Sequence, residues 1–142
     1  MVMVVFIVLI FTIGVLVAIE RNQTHFKDVK IGNTVFTLEV ADTDKTREKG
    51  LSDRYNLPKN SGMLFDFKTL GDWRMWMIDM RFDIDMAWLN SNNQIIYIKT
   101  DATPGSYPQT FGAGSPSRYV IEVPANTFNE LDIHIGDPIK IN

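Results

Sequence analysis

The sequence predicts a mainly β domain: a compact β-sandwich or a distorted, jelly-roll-like barrel with one or two short helices, preceded by an N-terminal transmembrane helix. Three observations carry this expectation. The first residues are apolar and uncharged, the rest of the chain breaks into many short strand-like runs, and turn-forming residues separate nearly all of them.

Residues 1–19 contain no charged side chain, and only Thr12 and Gly14 interrupt the apolar run. As a helix this segment spans roughly 28 Å, close to the hydrocarbon thickness of a bilayer. It is expected to tether the protein to a membrane. A cleaved signal peptide is the competing reading, but no basic segment precedes the run and Leu16-Val17-Ala18-Ile19 is a poor cleavage site. Arg21, Lys27 and Lys30 follow the helix together with Glu20 and Asp28, so the flanking charges do not settle orientation. Residues 20–27 read as a polar linker, and residues 28–142 as a single β-rich domain.

Within that domain, residues 28–40 form a hairpin, with Gly32-Asn33 as a two-residue turn between apolar runs. Asp42 or Thr43 can cap a short helix running to Lys49, and Gly50 is placed to end it in the left-handed conformation. Residues 63–67, 85–89, 94–100 and 118–123 read as strands, with residues 90–93 as a hairpin loop. Residues 73–80 are dense in Trp and Met. Residues 103–116, rich in Pro, Gly and Ser, read as a long surface loop. Residues 127–131 can make one helical turn and residues 138–141 an edge strand.

Composition narrows the chemistry. The net charge of −3 is small and of the wrong sign for nucleic acid. Without cysteine there is neither a disulfide nor a thiolate nucleophile. His25 and His134 are too few for a His-rich metal centre, no phosphate-binding or nucleophile-elbow motif is present, and no cofactor or metal is expected. Roughly 38% of the residues beyond the apolar run are themselves apolar, enough for one core.

The densest chemistry lies between Trp73 and Trp88, where Trp and Met alternate with Arg74, Asp79, Arg81, Asp83 and Asp85. Two readings stay open. Either the Trp and Met residues fill the core while the charges form turns and surface pairs, or aromatic faces and fixed charges line a ligand pocket. On the second reading the candidate ligand-binding residues are Arg54, Trp76, Asp79, Arg81 and Asp85. Asp79, Asp83 and Asp85 could also supply oxygen ligands to a hard cation or a carboxylate pair for hydrolysis, but they lack the loop spacing of a known cation motif.

Six ordered stretches resemble a known family: Gly50-Leu51-Ser52-Asp53-Arg54, Gly62-Met63-Leu64-Phe65, Trp76-Met77-Ile78-Asp79-Met80-Arg81-Phe82 with Ile84-Asp85, Ser106-Tyr107-Pro108, Arg118-Tyr119-Val120-Ile121-Glu122-Val123, and Gly136-Asp137. Together, over residues 35–141, the chain is similar to the bacterial and archaeal family called domain of unknown function 192. The resemblance implies a compact β-sandwich or barrel, often behind a signal peptide or anchor, and so an extracytoplasmic domain. It implies no catalytic residue. This chain departs from the family pattern at Ser52, where Met is usual, and at Asp83, where Pro is usual. The functional expectation is therefore a membrane-tethered binding or accessory module at the cell envelope, recognising an envelope polymer or a protein. A carboxylate-dependent hydrolase and a ligand-free scaffold are the alternatives.

Overall fold

The computed structural model describes residues 24–142, and the expected membrane helix at residues 1–19 and the first part of the linker lie outside them. The chain runs through β1 (Phe26–Ile31), β2 (Thr34–Ala41), α1 (Asp44–Lys49), β3 (Ser61–Gly71), β4 (Met75–Trp76), β5 (Ile84–Leu89) and β6 (Ile95–Ala102). A 3-10 turn at Pro104–Ser106 follows, then β7 (Thr110–Phe111), β8 (Ser117–Pro124), α2 (Thr127–Glu130) and β9 (Lys140–Ile141).

Local chemistry accounts for the first elements. Ile31 pairs with Thr34 across the Gly32-Asn33 turn, and Gly32 adopts a φ of +58°, which a side chain disfavours. Thr43 is the cap of α1. Its Oγ1 accepts the Thr46 N–H while the Thr46 hydroxyl accepts the Thr43 N–H, at 3.2 and 3.0 Å. Gly50 ends α1 at φ +49°, ψ −137°, a positive φ but not the left-handed helical conformation the sequence suggests.

Seven strands form one sheet in the order β6-β5-β8-β3-β2-β1-β9, and β4 and β7 form a separate small ribbon. The fold is mainly β with two short helices, but it is a curled half-barrel rather than two comparable sheets stacked as a sandwich. The physical reason is that both faces of the one sheet are covered by other chain segments. Only β2 and β3 run parallel, and α1 lies in the crossover between them.

On one face Ile31, Leu38, Leu64, Ile121 and Val123 pack beneath Phe128 of α2, Ile133 and Ile139. On the other, Met63, Phe65, Met86, Trp88 and Val120 pack beneath Leu51, Met75, Met77 and Phe111. All six residues of β5 are therefore buried, and its run is apolar apart from Asp85. Trp88 is fully enclosed and its indole N–H donates to the Trp73 carbonyl at 2.8 Å. Of residues 73–80 only Met75 and Trp76 pair as strand. The remainder crosses the second face as a wall, with Trp73 stacked on Phe67 at 4.2 Å.

Candidate functional site

Side-chain parity along β8 builds the site. Ile121 and Val123 point to the α2 face, so Val120 and Glu122 point to the other. Glu122 lies opposite Met63 of β3 on one side and Met86 of β5 on the other, in the middle of an apolar row. It is 3% exposed, and its carboxylate forms no side-chain hydrogen bond among the described residues. Its oxygens are nevertheless not sealed in, because Glu122 forms part of the wall of a cavity of about 260 Å³.

Burial pushes the Glu122 carboxyl up to about 8. The Arg54 guanidinium pulls the other way without prevailing, being itself held by Glu39 at 2.6 Å. At neutral pH the floor of the cavity is thus mainly a neutral carboxylic acid, able to donate one hydrogen bond and accept another.

The walls are mostly apolar: Leu51, Phe65, Phe67, Met75 and Met80 contribute, and Trp76 stands at the rim, half exposed, edge-on to Tyr107 at 6.2 Å. Three cations also border the cavity. Arg47 is engaged by Asp44 at 2.6 Å and by the Asp66 carbonyl at 2.8 Å, and Lys49 is engaged by Asp53. Arg74 has no acidic partner among the described residues. Its guanidinium donates to the Thr110 carbonyl at 3.1 Å and to the Thr110 hydroxyl at 3.2 Å. The Arg74 side chain lies over Gly112, where a Cβ would come within 2.8 Å of Arg74 Cδ.

Two loops enclose one side. The Ser52 hydroxyl donates to the Ile78 carbonyl at 2.9 Å and the Asp53 N–H to the Asp79 carbonyl at 2.8 Å. Both aspartates hold positive φ, at +65° and +53°. Ser52 is thereby a tie between the two loops.

The five candidate residues are dispersed by this geometry. Trp76 reaches the cavity, and Arg54 acts on it through the field at Glu122. Asp79 sits in the exposed turn just described, and Arg81 stacks over Tyr55 at 4.6 Å with Asp53 3.9 Å away. Asp85 is fully buried and points to the opposite, α2 face. Its Oδ1 accepts the N–H groups of Asp101 and Asn126 at 2.9 and 3.2 Å, and its Oδ2 that of Phe128 at 3.0 Å. An acid so enclosed cannot serve as one of an open carboxylate pair. Among the described residues no group of three or more His, Asp or Glu side chains is placed to hold a metal. Glu122 is the residue that sequence reasoning passed over. The available signal was an acid at the same parity as Val120 in the otherwise apolar run Val120-Ile121-Glu122-Val123.

A sequence profile of the DUF192 family, described as "Uncharacterized ACR", matches residues 26–141, from the first strand to the last. The chain belongs to the DUF192 family. Two solved structures share the fold. One, from Sinorhizobium meliloti 1021, is of a protein described as a proposed transcription regulator. It is 29% identical, with a TM-score of 0.79, over 84% of this chain and 95% of that one. The other is a protein of unknown function from Novosphingobium aromaticivorans DSM 12444. It is 24% identical, with a TM-score of 0.75, over 83% of this chain and 85% of that one. A comparison with curated proteins finds no match. Within this DUF192 domain the stretch Gly62-Met63-Leu64-Phe65 has a direct structural reason. A Cβ on Gly62 would fall 2.1 Å from the Glu122 carbonyl oxygen, so only glycine lets β3 lie this close to β8 beside the buried acid.

Proposed function

We propose that this DUF192 domain is a small-ligand-binding module whose site is the cavity between Trp76 and Glu122. The observation that carries this reading is a buried carboxyl with no protein hydrogen-bond partner among the described residues, opening onto an apolar cavity. Burying such a group without a partner opposes folding. Convergence of a few polar groups on an apolar hollow is how ligand sites are built. The half-exposed Trp76 at the rim, with Tyr107 edge-on beside it, supplies a flat face for an approaching ring.

The proposal includes the setting. The apolar run at residues 1–19 supports a membrane tether, and the family resemblance supports a domain outside the cytoplasm, at the cell envelope. On this reading an envelope polymer or protein would engage the cavity only through a terminal group or one side chain, since about 260 Å³ holds no more than a small body. The description of the Sinorhizobium meliloti protein is not carried over, because a net charge of −3 does not favour DNA phosphates.

The test is a fragment screen by NMR on the ¹⁵N-labelled full-length chain in zwitterionic detergent, following the Trp76 indole N–H. Hits should shift that signal and lose binding in Ser52→Leu, which narrows the cavity from its wall. Hits that leave Trp76 unmoved, or that bind Ser52→Leu equally well, refute the site. Carbonate extraction and protease accessibility of intact cells test the tether and its orientation.

A further inference from the structure

We infer that the cavity selects an organic anion: a small apolar, preferably ring-containing body carrying one carboxylate or similar head group, with the head at Arg74 and the body against Phe65, Phe67 and Met80. This rests on the cavity being a ligand site, and it concerns which charge that ligand carries.

The charges around the cavity decide the sign. Its border carries the cations Arg47, Lys49 and Arg74 against the single acid Glu48, apart from the floor. Arg47 and Lys49 are already paired with Asp44 and Asp53. Arg74 is different. Among the described residues its five N–H donors find only the hydroxyl and carbonyl of Thr110, both neutral. Thr110 sits opposite Trp76 in the β4–β7 ribbon, so the guanidinium is fixed by strand pairing beside the aromatic rim. Gly112 leaves the space that the arginine side chain occupies. A guanidinium held in place, with donors to spare and no acid against it, is suited to a carboxylate in fork geometry.

The floor is consistent with this choice. An ionised carboxylate at Glu122 would repel an anion and favour an ammonium group, whose charge could also be shared with the aromatic walls. Burial instead keeps the Glu122 carboxyl protonated at neutral pH, so the floor presents a neutral donor. The cavity then reads from mouth to floor as cation, apolar wall, hydrogen-bond donor. An apolar anion with an acceptor at its far end satisfies all three, whereas an amine would meet Arg74 at the entrance.

Three probes of one shape separate the possibilities: benzoate, benzamide and benzylamine, titrated at pH 7 into the ¹⁵N-labelled full-length chain in zwitterionic detergent. The Trp76 indole signal is identified with Trp76→Phe. Benzoate should bind at least about fivefold more tightly than benzamide, and benzylamine more weakly than either. Arg74→Gln should weaken benzoate about tenfold, the effect of losing a charge-assisted pair, while leaving benzamide within about twofold. Arg74→Lys should retain part of the preference, which shows that a loss in Arg74→Gln does not come from misfolding. Tighter binding of benzylamine, or a benzoate preference that survives Arg74→Gln, overturns the anion assignment while the cavity remains a site. Failure of all three probes to move Trp76 overturns the cavity reading and this inference with it.

Discussion

Glu122→Gln removes a single proton equilibrium from the cavity floor while preserving side-chain length and a hydrogen-bond donor. In the folded protein the Glu122 carboxyl is pushed up to about 8 by burial, against an ordinary value of 4.5. Below pH 4.5 the group is protonated in both folded and unfolded chains and contributes no pH dependence. Between 4.5 and about 8 the unfolded chain ionises and the folded one does not, so unfolding releases a proton and stability falls as pH rises. Above about 8 both forms are ionised and the loss is complete. Integrated over that window, the loss is on the order of 5 kcal/mol, a large share of a small domain's stability.

The variant lacks this term. Urea unfolding of the full-length chain and of Glu122→Gln in zwitterionic detergent, at pH 5, 7 and 9, isolates it, because every other titrating group is common to both proteins. Wild type should lose ground to the variant from pH 5 until the loss levels off above about pH 8, where the glutamine form is the more stable. A difference between the two that stays constant across this range would mean that Glu122 ionises like a solvated acid, and the reasoning that makes it the floor of a site would fail.

Other positions give independent outcomes. Asp85→Asn should destabilise by about 2 kcal/mol, since one of the three backbone N–H groups then faces an amide donor, and Asp85→Ala by more, as all three lose their acceptor; thermal melts check both. Gly62→Ala should prevent accumulation of folded protein, because its Cβ would stand 2.1 Å from the Glu122 carbonyl oxygen, a clash with backbone relieved only by parting β3 from β8; a soluble, cooperatively melting variant would count against the close approach. Burial pushes the Asp66 carboxyl up, but hydrogen bonds from Lys68 and Arg118 outweigh it and hold the group below 3.8. Its ionised form therefore stabilises the fold above that pH and the contribution disappears as pH falls through the lowered value. Asp66→Asn should be less stable than wild type at pH 7, with the gap closing in acid titrations below pH 3.8.

What the sequence made legible was local. The Gly32-Asn33 turn, the Thr43 cap, the loop at residues 90–93 and the final edge strand each follow from chemistry within a few residues, and each is where expected. Long-range order was not legible. Nothing in residues 34–41 and 61–71 announces that β2 and β3 run parallel, or that β8 inserts between β3 and β5. The density of Trp and Met at residues 73–80 left core and pocket lining undecided, since the same apolar side chains serve both, as Met75 does here. For the site, the acids clustered among aromatics drew attention, while Glu122, alone in an apolar strand, did not. Alternation fixes which residues share a face but not which face holds a cavity, and that distinction separates Trp76 and Glu122 from Asp85.

Asp85 and Glu122 make the contrast sharpest, because they are nearly equivalent by position. They sit on the adjacent paired strands β5 and β8, each fully or almost fully buried, and point to opposite faces of one sheet. Asp85 finds three backbone N–H donors at a helix start and a strand end, so its burial is compensated and it fastens α2 to the sheet. Glu122 finds no hydrogen-bond donor or acceptor within the described residues, and only the charge of Arg54, itself held by Glu39, favours its ionised form. A fold shaped by stability alone gains nothing from the second arrangement, and a leucine or methionine would suit the row between Met63 and Met86 better. A polar group that breaks the pattern of an otherwise consistent core is where a functional site is expected. At Glu122 the carboxyl opens onto the cavity lined by Arg74 and Trp76, and that opening is the entrance on the proposed reading.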